Sequence, residues 1–197
     1  NLTPGTYDVS ELPMQSGWLS ADDSQGTRRV VLTSQSQTVN FFNYRRGTIS
    51  GMKWNDISGE SSQDDGEPGL AGWTIFIDAD DNGILDAGEI SDTTDADGNY
   101  SFSNLDPGEY IVCEQQQTDW VETYPGEAVC HTVTIESGDV TGGWDFGNQQ
   151  LSSVTIIKDV NPDDNSQWNF ILEGSIFYDE VILEDGGALH LTDAVFG

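Results

Sequence analysis

Residues 78–89 carry oxygen-bearing side chains at the spacing that wraps a calcium ion. The expected ligands are the side chains of Asp78, Asp80, Asn82, Asp86 and Glu89 and the backbone carbonyl of Ile84. Gly83 lies where such a loop turns sharply, and glycine makes that turn without strain. Calcium takes about six to eight oxygen ligands, so the pattern predicts a calcium site. The flanking segments lack helical periodicity, so we expect a loop between strands.

Two further acidic stretches carry weaker versions of this pattern. In residues 56–67 the ligand positions are held by Asp56, Ser58, Glu60, Asp64 and Glu67. Ser61 takes the place of the turn glycine there, which strains the turn. A third, shorter cluster consists of Asp95, Asp97 and Asn99. We therefore expect two or three Ca²⁺ sites, all within residues 48–150, and the alternative for each is a solvated acidic turn.

The charge of the chain excludes whole classes of partner. The 197 residues include 35 Asp and Glu against 6 Lys and Arg, for a formal net charge of −29. Nucleic acids and anionic membranes require a basic surface, so neither is an expected partner. No apolar run approaches the roughly 20 residues that a membrane helix needs, so we expect no membrane insertion. Residues 56–97 contain 13 acids and no Lys or Arg, a density that bound cations would neutralise.

The two cysteines, Cys113 and Cys130, predict a single disulfide and an oxidising compartment. The alternative is a pair of unlinked thiols. The chain begins without a leader-like segment, so we take it as a mature product or an excerpt. Hydrophobic residues make up 36% and aromatic residues 10% of the chain, which is sufficient for a packed core.

The elements that must position these residues are short strands. Period-two or apolar runs bounded by Gly, Asp, Asn and Pro recur along the chain, whereas helical periodicity is nearly absent. The predicted strands are residues 6–9, 29–33, 38–44, 73–77, 100–102, 110–114, 131–135, 154–158, 168–172 and 190–196. Many short strands at close spacing are typical of Ig-like or prealbumin-like β-sandwiches.

An internal repeat divides the chain. Residues 104–114 (NLDPGEYIVCE) return as residues 1–11 (NLTPGTYDVSE), and Trp120 corresponds to Trp18. The segment 144–148 corresponds to 39–43. We therefore interpret residues 48–150 as a complete sandwich, 1–47 as the C-terminal half of a sandwich, and 151–197 as the N-terminal half. When the C-terminal residues 196–197 are placed before residues 1–7, the joined sequence resembles that of residues 102–110.

Half a sandwich exposes open strand edges and part of its core, so the halves need partners. The chain is one repeat of a longer tandem array, or neighbouring copies complete each other head to tail, or the two ends pair within one chain. Head-to-tail completion is a heterologous contact and builds a filament when it does not close. We favour the first two arrangements.

Several phrases in residues 48–150 resemble the SdrD B-like and Cna B-type repeats of bacterial surface proteins. They are residues 51–56 (GMKWND), 66–73 (GEPGLAGW), 94–102 (TDADGNYSF), 104–110 (NLDPGEY) and 145–148 (DFGN), together with the loop at 78–89. The resemblance implies an extracellular β-sandwich, displayed in tandem, rigidified by calcium and acting as stalk, adhesin or fibre. It also implies a secreted or cell-surface location, with other copies and host or surface ligands as partners.

Cna B-type domains often hold a Lys–Asn isopeptide bond promoted by an acid, and the resemblance extends to those residues. The matching sets are Lys53, Glu114 and Asn148 in the complete domain, and Lys158, Glu11 and Asn43 in the end segments. The chemistry needs a neutral amine that attacks an amide whose oxygen is polarised by a protonated carboxylic acid, in an apolar core. We hypothesise one bond in each set. The alternative is that each lysine extends to the surface.

The function expected from these features is that of an extracellular structural or adhesive repeat that assembles head to tail. A carbohydrate-binding or accessory module of a secreted enzyme is the alternative, because the chain has 6 Trp and sugars stack on aromatic rings. We expect no enzyme activity, since His131 and His190 have no Ser or Cys partner in any motif.

Overall fold

The computed structural model describes residues 2–12, 15–21, 26–126, 129–157, 167–173, 178–184 and 188–194. Within these ranges no helix is long and apolar enough to cross a membrane. The strands are β1 Gly5–Ser10, β2 Leu19–Ser20, β3 Thr27–Leu32, β4 Asn43–Tyr44, β5 Gly47–Asn55, β6 Thr74–Asp78, β7 Ile90–Thr93, β8 Asn99–Leu105, β9 Gly108–Glu114, β10 Trp120–Tyr124, β11 Cys130–Ile135, β12 Val140–Thr141, β13 Phe146–Gln150, β14 Ser152–Ile157, β15 Gln167–Glu173, β16 Tyr178–Glu184 and β17 Ala188–Ala194. The expected all-β class is confirmed.

Two sheets contain the strands of the complete domain. One has the order β10-β13-β5-β12, with β8 also paired to β5. In it β13 runs parallel to β5, so that Phe146 lies opposite Lys53 and Asn148 opposite Asn55. The other has the order β11-β9-β6-β7, in which β6 and β9 are antiparallel and Ile75 lies opposite Glu114. These registers decide which polar side chains meet in the site described below.

The chain divides into two compact units. The first comprises residues 1–50, 101–110 and 132–142, and the second comprises residues 51–100, 111–131 and 143–197. The buried apolar side chains of the first unit are Ile49, Phe102, Leu105, Val133 and Ile135. Those of the second are Trp54, Trp73, Ile75, Phe76, Ile77, Tyr100, Val112, Cys113 and Phe146. Aromatic and β-branched residues dominate both sets, as a pleated buried surface favours.

Two glycines let the loop at 95–99 lie against β5. Trp54 and Gly69 form an isolated bridge, and a Cβ at Gly69 would collide with the carbonyl oxygen of Asp97. Gly98 has φ +84°, and a Cβ there would collide with the carbonyl oxygen of Lys53. Any other residue at these two positions would push the acidic loop away from the strand that carries Lys53.

The end segments form four two-stranded ladders. β1 pairs with β3, β2 with β4, β14 with β17 and β15 with β16, all antiparallel. The strand predicted over 38–44 is wrong for its first five residues, because only Asn43 and Tyr44 have ladder partners. β2 is two residues long, and no second strand pairs with β4 in the described ranges.

Candidate functional site

Three polar side chains meet in the apolar interior of the second unit. Lys53 Nζ donates a hydrogen bond to Asn148 Oδ1 and lies 2.7 Å from Glu114 Oε2. Asn148 Nδ2 donates to Glu114 Oε1 at 2.6 Å. Lys53 and Asn148 are fully buried and Glu114 is 6% exposed. The carboxyl group of Glu114 therefore bridges the amine and the amide nitrogen.

The sheet registers place these groups together. Lys53 on β5 and Asn148 on β13 come from neighbouring parallel strands, and Glu114 reaches them from β9 in the other sheet. The Trp73 ring covers the amine, with Nζ 4.5 Å from its centroid, and Trp120 packs edge-on against Trp73 at 5.5 Å. The site is thus roofed by aromatic rings, which exclude water.

Burial lowers the pKa of Lys53 to about 8, and the attraction of Glu114 opposes this shift without cancelling it. A fraction of the lysine is consequently the neutral amine near neutral pH. Glu114 contacts both nitrogens and not the amide oxygen that it was expected to polarise; that oxygen accepts from Lys53 instead. In this arrangement the carboxyl group can carry a proton from the amine to the leaving amide nitrogen.

A second acid at this site was not anticipated from the sequence. Glu122 on β10 is the cross-strand partner of Asn148, and its Oε1 is buried without a hydrogen-bond partner. Burial raises the pKa of Glu122 to about 8, with a further contribution from the negative charge of Glu114, while Lys53 opposes the shift. Period two along β10 places Trp120 and Glu122 on one face, before the register shift between Glu122 and Tyr124, and that alternation is the signal that could have identified Glu122.

The first unit holds a matching acid and amide. Asn43 Nδ2 donates to both carboxylate oxygens of Glu11, at 2.9 and 2.8 Å. Asn43 Oδ1 is buried without a partner. Glu11, Gln15, Trp18 and Asn43 line a cavity of about 280 Å³. Lys158, the amine hypothesised for this set, lies outside the described residues.

The loop at 78–89 brings three of its predicted ligands together. Carboxylate oxygens of Asp78, Asp80 and Glu89 lie within 4.8 Å of one another, the one such acidic group found among the described residues. Burial raises the pKa of Asp78, but backbone hydrogen bonds, from Gly83 at 2.6 Å among others, outweigh it and lower the pKa overall. Burial and the neighbouring carboxylates raise the pKa of Asp80.

Other predicted ligands of the loop at 78–89 form hydrogen bonds within the loop. Asn82 Nδ2 donates to Asp86 Oδ2 at 2.8 Å, and Asn82 Oδ1 accepts from the Ile84 amide at 2.7 Å. Glu89 accepts hydrogen bonds from the amides of Ala79 and Asp86. An oxygen-rich loop closed by its own backbone amides is compatible with a hard cation.

In the acidic loops at 56–67 and 95–99, carboxylates accept hydrogen bonds from backbone amides. Asp56 is fully buried and accepts from the amides of Gly59 and Ser61, at 2.7 and 2.9 Å. Ser61 adopts φ 63°, the strained turn expected there. Further hydrogen bonds in the loop at 56–67 run from the Ser58 and Asp64 amides to Glu67 and from Ser58 Oγ and the Glu60 amide to Asp56. In the loop at 95–99 the amides of Asp97 and Asn99 donate to Asp95.

Cys113 and Cys130 are joined by a disulfide across 17 residues, with their Cα atoms 4.5 Å apart. Cys113 directly precedes Glu114 on β9, so the disulfide ties β9 to β11 beside the buried site.

The tryptophans that suggested sugar binding differ in exposure. Trp73 is 2% exposed and packs in the core, whereas Trp18 is 37% exposed.

Comparison with known proteins places part of the chain in a family. A family model described as the SdrD B-like domain matches residues 47–142. Serine-aspartate repeat-containing protein I of Staphylococcus saprophyticus is 28% identical, over 57% of this chain and 7% of that protein. Serine-aspartate repeat-containing protein D of Staphylococcus aureus strain Newman is 30% identical, over 57% of this chain and 8% of that protein. The chain thus spans less than a tenth of these curated relatives.

Two solved structures align with much of the chain. The full-length major pilin SpaD from Corynebacterium diphtheriae aligns with a TM-score of 0.44 and 17% identity, over 64% of this chain and 37% of the pilin. The Bacillus anthracis TIE protein aligns with a TM-score of 0.45 and 18% identity, over 97% of this chain and 35% of that protein.

Proposed function

Residues 47–142 belong to the SdrD B-like domain family, and from that premise we propose that the chain is a load-bearing module of an extracellular surface protein or fibre. The module is exposed at the cell surface and acts by transmitting force and presenting surface, not by turning over a substrate. Its partners are other copies of the same chain, arranged head to tail, and host or surface ligands.

The buried contact between Lys53, Glu114 and Asn148 carries this proposal. Lys53 Nζ, as the neutral amine, attacks Cγ of Asn148, and the new N–C bond replaces the bond from Cγ to Nδ2, which leaves as ammonia. Glu114 takes a proton from Nζ through Oε2 and returns it to Nδ2 through Oε1, the two contacts measured above at 2.7 and 2.6 Å. Lys53 lies in the first strand of the complete domain and Asn148 in the last, so the bond would carry force directly between them.

Calcium supplies the second stiffening element of the proposal. The group formed by Asp78, Asp80 and Glu89 is the strongest candidate, because three carboxylates already converge there. Asp86, Asn82 and the Ile84 carbonyl would complete the oxygen ligands. The loops at 56–67 and 95–99 are secondary candidates. Bound calcium would neutralise acids that otherwise repel each other in one end of the domain.

The end segments would form the contacts that join one copy of the chain to the next. Glu11 and Asn43 repeat the acid and amide of the complete domain, and Lys158 repeats the lysine. We propose that Lys158 of one copy bonds Asn43 of the next, with Glu11 as the acid. A filament assembled this way would be covalently continuous.

Single-molecule stretching of the chain from its two ends tests the load-bearing role. Lys53 and Asn148 are 95 residues apart and the disulfide shortens the path by 17, so a domain without the bond extends by about 270 Å more on unfolding. The wild type should lack this extension and Lys53→Met should show it. Thermal melting of Lys53→Met verifies that the variant is folded before it is stretched. If the wild type releases the full length, the domain is not locked and the proposal is wrong.

A further inference from the structure

We infer that Glu122 is a second catalytic acid of the buried site, whose carboxylic acid group donates a hydrogen bond to Asn148 Oδ1 while Lys53 attacks the amide. This inference rests on the proposed function, since it assigns a further group to the reaction between Lys53 and Asn148. It follows from the contacts that Glu114 makes and from the position of Glu122 in the ladder between β10 and β13.

Glu114 contacts the two nitrogens of the reaction. Its Oε2 lies 2.7 Å from Lys53 Nζ, and its Oε1 accepts from Asn148 Nδ2 at 2.6 Å. A proton can therefore pass through Glu114 from the amine to the leaving nitrogen. Neither contact serves Asn148 Oδ1, the atom on which negative charge develops when an amine adds to the amide.

Lys53 cannot stabilise that oxygen during the reaction. In the resting site Nζ donates a hydrogen bond to Asn148 Oδ1. Hydrogen bonds to a carbonyl oxygen prefer the plane of the amide, whereas a nucleophile approaches the carbonyl carbon from above or below that plane. Nζ therefore leaves the oxygen as it moves to Cγ. The developing charge then needs another donor.

Glu122 lies where such a donor is needed. It is the residue opposite Asn148 in the antiparallel ladder between β10 and β13. Residues opposite each other in such a ladder have side chains on one face and Cβ atoms about 4.5–5.5 Å apart, so a glutamate side chain can span the gap to the amide. Glu122 Oε1 is buried without a hydrogen-bond partner. A hydrogen bond to Asn148 Oδ1 would satisfy this oxygen, which is costly to leave unpaired.

The carboxyl group of Glu122 retains its proton at neutral pH. Burial raises the pKa of Glu122 to about 8, with a further contribution from the negative charge of Glu114, and the positive charge of Lys53 opposes the shift. β13, the strand paired with β10, carries no titratable side chain. Among the described residues the charged groups that act on Glu122 are thus Glu114 on β9 and Lys53 on β5. A carboxyl group donates a hydrogen bond only when protonated, and at neutral pH Glu122 is in that form.

The reaction balances in atoms and electrons. Neutral Lys53 Nζ forms a bond to Asn148 Cγ, and the carbonyl electron pair moves onto Oδ1, to which the Glu122 hydroxyl donates a hydrogen bond. When the carbonyl re-forms, the bond from Cγ to Nδ2 breaks. Nδ2 leaves as ammonia with the proton that Glu114 has carried from Nζ. Glu122 keeps its own proton, so Glu114 transfers the proton and Glu122 polarises the oxygen.

The pH dependence of ammonia loss tests this role. The chain is collected in urea from insoluble material, its unreacted mass is verified, and it is refolded at a series of pH values while the mass falls by about 17 Da. The reactive site needs neutral Lys53 and protonated Glu122, and the pKa of each is about 8. The wild-type rate should therefore rise to a maximum near pH 8 and fall above it.

Two substitutions of Glu122 separate the donor from the titration. Glu122→Gln keeps an N–H donor that does not titrate, so its rate should rise with pH to a plateau without the fall. Glu122→Met removes the donor at similar size, and its rate should be about a hundredfold lower at every pH. Asp119→Asn removes an exposed charge beside the same strand and should follow the wild-type profile. Thermal melting verifies that each variant folds.

The outcomes distinguish this inference from the proposed function. Asn55 lies opposite Asn148 on β5, and its amide does not titrate, so a fall above pH 8 that Glu122→Gln abolishes belongs to Glu122. A wild-type rate that keeps rising above pH 8, or equal rates in the wild type and Glu122→Met, overturns the inference and leaves the bond standing. A wild type that loses no ammonia at any pH overturns the proposed bond and the role of Glu122 together.

Discussion

Glu114 Oε2 lies 2.7 Å from Lys53 Nζ, and the exposed fractions of the two side chains are 1% and 0%. An ion pair removed from water to this extent contributes little net stability, because the loss of hydration offsets the attraction. Asn148 adjoins both groups. When the lysine and amide form a neutral amide bond and ammonia leaves, the remaining lysine proton stays on Glu114, so neither partner of the ion pair keeps its charge. The environment thus favours the products of the reaction that we propose.

Glu114→Gln should slow formation of the bond by about a hundredfold or more, because a positioned acid–base group contributes at least that factor. Glutamine retains the shape of the side chain and loses the ability to carry the proton from Nζ to Nδ2. Loss of ammonia is followed by mass spectrometry after refolding. Glu109→Gln is the matched control, since Glu109 is exposed on the same strand. Equal rates in the wild type and Glu114→Gln would contradict the role assigned to Glu114.

Calcium should raise the free energy of unfolding of the wild type, by about 2.7 kcal/mol when its concentration is a hundred times Kd. Asp78→Asn should lose most of that increment, because Asp78 contributes to the one converging group of carboxylates found in the described residues. Asp81→Asn removes the same charge from an exposed position of the same loop and should retain the increment. Thermal melts with calcium and with chelator measure it. Melts of the wild type that coincide under both conditions would rule out the site.

The stability of the domain should fall as pH rises from about 4.5 to about 8, owing to Glu122, whose pKa is raised from 4.5 to about 8 by burial and the charge of Glu114. The folded state binds this proton more tightly than the unfolded state, so the contribution is complete below the unfolded pKa and is lost as pH rises through the folded pKa. Glu122→Gln should flatten this part of the urea-unfolding profile. Glu136→Gln, at an exposed position, should leave it unchanged. Parallel profiles for the wild type and Glu122→Gln would contradict the assignment.

Removal of the disulfide should lower the free energy of unfolding by about 3 kcal/mol, the value for a loop of about this length in the chain-entropy model. Cys113 and Cys130 are 17 residues apart, and both are replaced by alanine. Urea unfolding with and without reductant measures the change. Reductant should destabilise the wild type by a similar amount and leave the double variant unaffected. A wild type insensitive to reductant would contradict the prediction.

The sequence predicted the polar site better than the strand boundaries. The resemblance to Cna B-type domains, together with the position of each residue in the repeat, singled out Lys53, Glu114 and Asn148 as one set, and the structure brings the three together. The twelve-residue spacing likewise predicted the convergence of Asp78, Asp80 and Glu89. Local patterns of this kind survive folding because the chain itself joins the residues.

Features that depend on neighbouring strands were harder to predict. Glu122 belongs to no motif, and its position opposite Asn148 follows from the ladder between β10 and β13. Residues 38–42 alternate like a strand yet have no ladder partner in the described structure. A strand forms where a neighbouring edge is available, and the availability of an edge is not written in the local sequence.

The intact mass of the purified chain tests the covalent lock most directly. The account predicts a mass about 17 Da below that of the disulfide-linked sequence for each bond formed, and a proteolytic peptide that joins β5 to β13. Lys53→Met should abolish the loss and the joined peptide at this site. A wild-type mass equal to that of the disulfide-linked sequence, with the β5 and β13 peptides separate, would contradict the central claim.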